Sequence, residues 1–147
     1  MQISNKKHPH RFSEEIRQLE VDKTNLLFYA RERAAANEPI ESARAFAKAA
    51  RMEEEIAPLM EAEGYLQDAV ISWVSAASCY HLGHNLAEAL RICELVEKKP
   101  FGERYRDILQ KIKIDCEKRM ATPVTMTGDR EHRDSPHPIR INLRPIL

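Results

Sequence analysis

Apolar residues recur along this chain at helical spacing from Phe12 onward, separated by short polar stretches. Phe12, Ile16, Leu19, Leu26, Leu27, Ala30 and Ala34 fall near one stripe, which predicts a first helix. Ser13 is placed to cap it, with Glu14 and Glu15 at the positive end of the helix dipole. Asn37-Glu38-Pro39 closes it, since Asn tolerates a left-handed cap and Pro suits the first turn of a second helix. That helix carries Ile40, Ala43, Phe46, Ala47 and Ala50, and its period continues through Pro58 to Gly64, which predicts a kink at the proline and a cap at the glycine. The run YLQDAVISWVSAASCYHLG is apolar almost all round, the pattern of a helix covered on most sides at the centre of a domain. Leu86, Ala89, Leu90, Cys93 and Val96 form the stripe of a fourth helix, closed by Lys98, Lys99 and Pro100. Tyr105, Ile108, Leu109, Ile112 and Cys116 predict a fifth, ending near Met120.

The ends have a different character. Residues 1–11 are polar and read as a flexible arm. After Ala121 the period vanishes among prolines and charges, which predicts a tail over residues 122–147 that is disordered when alone. Within it Arg140, Ile141, Asn142 and Leu143 alternate, so this end is able to add a strand to the sheet edge of a partner. The expected organisation is all-α: an antiparallel array of about five helices over residues 12–121.

Composition sharpens this picture in three respects. Only four glycines among 147 residues suits helices and leaves little material for a phosphate-cradling loop. The 23 basic residues balance the 23 acidic ones, so no global field draws the protein to nucleic acid or a membrane. The three cysteines, Cys79, Cys93 and Cys116, all fall in helical segments and are expected to be free, buried thiols. The first residues, MQISNKKHPHRF, lack the hydrophobic stretch of a signal peptide, and a cytoplasmic protein is the expectation.

The segment CYHLGH raises the question of a metal site. Positions two apart on a helix point about 200° apart, so Cys79 and His81 do not face one ion, and His84 follows the Gly83 that ends the helix. No metal and no cofactor are expected. The segment is instead a corner: Gly83 stops the third helix and Asn85 caps the fourth.

The corners carry a further pattern. Gly64, Ala69, Trp73 and Ala76 repeat the spacing of a glycine, a small residue, a bulky plug and a second small residue, and Gly83, Ala89, Cys93, Val96 and Pro100 follow it with one extra residue in the turn. Over residues 40–100 the chain resembles the tetratricopeptide repeat family. It departs from that family in lacking the early aromatic–Leu-Gly signature, and its two glycine matches are offset by one helix rather than a pair. The resemblance implies a non-catalytic protein-binding module, an adaptor or a small subunit of a larger assembly, with a helical groove and a tail that orders on binding.

Chemistry candidates are few. Glu53, Glu54 and Glu55, with Glu61 and Glu63, point around their helix and are expected to form a solvated acidic face rather than an acid/base pair. No nucleophile elbow or dinucleotide fingerprint is present, so no catalytic residue is assigned. The region from Lys98 to Arg119 holds eight cations against four acids, the basis of the rival function, a nucleic-acid-associated regulator using the fifth helix. Lys98, Lys99, Lys118 and Arg119 also suit the C-termini of their own helices. Segregation of the acidic segment 53–97 from this basic one suits a charged protein partner or self-association. Trp73 is expected in the core. The residues assigned to partner contact are Tyr65, His81, His84 and Asn85 at the corners, with Arg140, Ile141 and Leu143 in the tail.

Overall fold

In the computed structural model residues 12–122 are described, so the arm and the tail, with Arg140, Ile141 and Leu143, lie outside the described residues. Five helices follow one another: α1 (Glu14–Ala35), α2 (Pro39–Ala62), α3 (Leu66–Leu82), α4 (Leu86–Glu97) and α5 (Arg106–Ala121), the last entered through a 3-10 turn, Gly102–Tyr105. The Ser13 hydroxyl accepts a hydrogen bond from the Ile16 amide at 3.3 Å and starts α1 as predicted. Pro39 opens α2, and that helix runs unbroken through Pro58. The exposed proline deprives only the Glu54 carbonyl of its helical donor.

Three corners share one construction. A single left-handed residue follows each helix: Asn37 (φ 65°), Gly64 (φ 87°) and His84 (φ 62°). The next amide then reaches back to the carbonyl five residues earlier, Glu38 to Arg33 at 2.8 Å, Tyr65 to Met60 at 2.9 Å and Asn85 to Tyr80 at 2.9 Å. The following helix begins one residue later. The third corner differs from the sequence expectation, because His84 rather than Gly83 takes the left-handed conformation and the Asn85 side chain makes no cap bond. Gly83 is needed for another reason. A Cβ there would lie 2.9 Å from the Ala43 carbonyl oxygen and 3.0 Å from the Ala47 nitrogen, so the glycine lets the end of α3 touch the backbone of α2.

Each helix packs antiparallel on its neighbour, in the order α1, α2, α3, α4, α5, with α5 returning to α3. The Ser42 hydroxyl donates to the Ala30 carbonyl at 2.8 Å and ties the end of α1 to the start of α2. α3 is the central rod, burying Val70, Trp73, Val74, Ala76, Ala77 and Tyr80. Alanines at Ala45, Ala49, Ala50 and Ala57 on α2 allow that close approach. Ala69, Trp73 and Ala76, and likewise Ala89, Cys93 and Val96, are all buried, as their repeat-like spacing requires.

Candidate functional site

The corner residues singled out from sequence do not make one surface. Tyr65 is buried at 4 % exposure, with the Phe12 ring edge-on at 4.6 Å, in a small cluster with Ile16, Ile56 and Met60. Its place there follows from the left-handed Gly64, which turns the next side chain back onto the helix it has just left. Tyr65 is therefore core rather than an exposed contact. Asn85 is half-buried.

His81 and His84 are brought together, but through α5. His81 Nε2 meets Asp115 Oδ2 at 2.6 Å, Arg119 binds the same oxygen at 3.0 Å, and Arg119 Nη2 lies 2.9 Å from His84 Nδ1. An arginine has only donors, so His84 Nδ1 accepts and the ring is neutral. Burial, the Arg119 charge and His81 hold His84 below its ordinary value of 6.5. Such a depressed histidine contributes stability that is present above about pH 6.5 and is lost as pH falls through the lower folded value. Equilibrium urea unfolding should therefore show a midpoint that drops on acidification below that pH. His84→Asn keeps a side chain tolerant of the left-handed backbone and should flatten this limb. An unchanged limb in that variant would assign the pH dependence elsewhere.

No group of three metal-ligating side chains occurs among the described residues. The thiols are free and buried, and burial pushes them up to about 12 for Cys79 and Cys93 and about 11 for Cys116.

The glutamates of α2 do not form the solvated face expected from sequence. Glu53 is 1 % exposed and meets Lys23 of α1 at 3.1 Å. Glu54 accepts from the Tyr80 hydroxyl and from Arg91, while Glu61 accepts from Trp73 Nε1 at 2.8 Å and pairs with Lys99 at 3.0 Å. Lys99 also lies over the Trp73 ring, so its charge serves α2 and α3 rather than its own helix end. The physical reason is that α2 has helices on two sides, so residues around most of its circumference face a neighbour.

The solvent side of α2 carries a cationic strip between the exposed Glu41 and Glu55, which its sequence pattern alone did not single out. Arg44, Lys48 and Arg51, four and three residues apart, are exposed, and no ion pair or hydrogen bond holds them among the described residues. They line a groove of about 310 Å³ between α1 and α2, together with Leu26, Tyr29, Glu41 and Ala45. The Tyr29 hydroxyl donates to Glu41 at 3.2 Å, fixing one wall. The groove therefore has apolar Leu26 and Ala45, an aromatic edge and three cations that have no partner among the described residues. In the basic region Lys113, Arg119 and Lys99 are tied to Glu97, Asp115 and Glu61, while Lys98, Arg104, Lys111 and Lys118 have no ion pair among the described residues.

No helix among the described residues is long and apolar enough to cross a membrane. Comparison with known proteins adds no relative: no family, no curated protein and no solved structure matches this chain.

Proposed function

We propose that this chain is a non-catalytic protein–protein interaction module, an adaptor or a small subunit of a larger assembly, whose α1–α2 groove receives an acidic segment of its partner. The observation that carries this reading is the row Arg44, Lys48 and Arg51, without an ion pair among the described residues and lining a groove with an apolar floor. The row spans about 10 Å along α2, from seven residues at 1.5 Å each. Carboxylates at the same four-and-three spacing on a partner helix match it. Charge would orient the partner and speed encounter, while the floor and Tyr29 would supply affinity. Rigid helices presented on short corners lower the ordering cost of binding.

The recurring corner at Asn37, Gly64 and His84 supports a helical-repeat character of the tetratricopeptide kind. The tail bearing Arg140, Ile141 and Leu143 is assigned a second contact that orders on the partner. The nucleic-acid reading keeps the exposed Lys98, Arg104, Lys111 and Lys118 but loses Lys99, Lys113 and Arg119, which carboxylates engage within the fold.

Affinity purification of the full chain beside two variants tests the proposal: one cut after Ala121, one with Arg44→Glu, Lys48→Glu and Arg51→Glu. Protein partners recovered by the full chain should be lost on charge reversal and reduced by the cut. Recovery of nucleic acid instead, weakening steeply with salt, would favour the rival. Equal recovery by all three chains would remove both contacts from the proposal.

A further inference from the structure

α1 is the first rod of the array and packs on α2, and its opposite side carries no packed helix among the described residues. End helices of stacked arrays are normally polar on that side, because nothing covers it. Here the outer side carries Gln18, Val21, Asn25, Phe28 and Glu32, spaced alternately three and four residues apart. Val21 is 53 % exposed and Phe28 is 66 % exposed, one heptad apart on this seam. The seam is apolar at Val21 and Phe28 and polar at Gln18, Asn25 and Glu32; exposed apolar side chains one heptad apart mark a face that can pair with another helix, and the polar positions set its register.

We propose that the occupant of this seam is a second copy of the same chain, with the two α1 helices antiparallel about a two-fold axis. The charges choose that arrangement. With the axis between residues 24 and 25, Val21 of one copy meets Phe28 of the other, and Arg17 meets Glu32. Two-fold symmetry makes each of these contacts twice. No like charges face each other along the seam. A parallel pairing would set Glu14, Arg17 and Glu32 each against its own copy, which is repulsive at every charged layer. Arg17 is available for the exchange, since its pair with Glu14 at 3.1 Å is a solvent-exposed i,i+3 contact of little worth. The groove lies on the other flank of α1, so a dimer presents two grooves and offers a partner with two acidic segments avidity.

The inference goes beyond the groove and stands on a different surface, so each can fail alone. Sedimentation equilibrium of the full chain over a concentration series should give a mass rising from monomer to dimer and stopping there. Phe28→Glu should weaken that dimer by about tenfold or more. The residue is two-thirds exposed, so folding should be unaffected, with helical circular dichroism as the control. Asn25→Cys, close to the axis, should oxidise to a reductant-reversible dimer, while Asp22→Cys, exposed on α1 but off the seam, should not. The native thiols are buried and do not compete. A monomer at all concentrations, a mass that climbs past the dimer, or equal cross-linking at positions 22 and 25 would overturn the inference.

Discussion

Lys23→Met destabilises the protein by about 3–5 kcal/mol, whereas Lys23→Met combined with Glu53→Met restores most of the loss. Lys23 is 12 % exposed, Glu53 is 1 % exposed, and Glu20 holds the same ammonium at 2.8 Å. Burial works against the lysine charge, but Glu53 and Glu20 outweigh it and keep the ammonium above its ordinary value. Removing the lysine leaves a carboxylate among apolar side chains, with Glu53 Oε1 already lacking a hydrogen-bond partner among the described residues. Replacing both partners removes the charge together with its need for a counter-charge.

The same variant makes a pH prediction of definite sign. Burial pushes the Glu53 carboxyl upward, and loss of Lys23 pushes it further. A carboxyl raised in the folded state contributes stability that is present below its unfolded value and is lost as pH rises through the folded one. The deficit of Lys23→Met should therefore be largest at neutral pH and shrink as pH falls toward 4.5, the ordinary value of a glutamate. Urea midpoints of the single and double variants across pH check both statements. A deficit independent of pH, or a double variant no better than Lys23→Met, would show that packing rather than charge fixes α1 on α2.

Gly83→Ala and Gly64→Ala should both destabilise, for unlike reasons and by unlike amounts. At Gly83 the new Cβ meets two backbone atoms of α2, which cannot swing aside as a side chain would, so α3 must move away from α2 at a cost of about 1–3 kcal/mol. The displaced rod is the central one, so near-ultraviolet circular dichroism from Trp73 and Tyr80 should change as well. At Gly64 no atom lies within 4 Å of an added Cβ, and the cost is the left-handed backbone alone, about 1–2 kcal/mol, with the aromatic signal unchanged. Unchanged stability in Gly83→Ala would mean that the close approach of α3 and α2 is not needed.

Much of this architecture is visible in the sequence because it depends on local chemistry. Ser13, Pro39, Gly64 and the apolar period of each segment act within a few residues, and they delimit the helices. The all-round apolar run from Val70 to Tyr80 places α3 at the centre for the same reason. What depends on neighbours is not visible. Glu53, Glu54 and Glu55 are alike as letters, yet only Glu55 faces solvent, because α1 and α3 flank α2. Tyr65 follows a glycine, a usual place for a surface residue, but the reversal of the chain turns it inward. A left-handed His84 beside a glycine has no sequence signature, since glycine is the residue expected to take that conformation.

The groove had a signal that went unused. Arg44, Lys48 and Arg51 share one face of an otherwise alanine-rich stretch, RAFAKAAR, whose small residues mark the buried sides. A cationic strip opposite small residues on a helix packed between two others must face solvent. Its lack of partners becomes apparent only when the positions of the surrounding acids are known.

A charge-exchange titration tests the docking claim most directly. The full chain is titrated, by fluorescence anisotropy, with a labelled alanine-rich helical peptide of about 18 residues bearing Glu at four-and-three spacing, and with its Lys counterpart. The native chain should bind the Glu peptide and not the Lys peptide, and the chain carrying Glu at positions 44, 48 and 51 should reverse that preference. If the native chain ignores both peptides, or the reversed chain keeps the native preference, the groove does not dock an acidic segment.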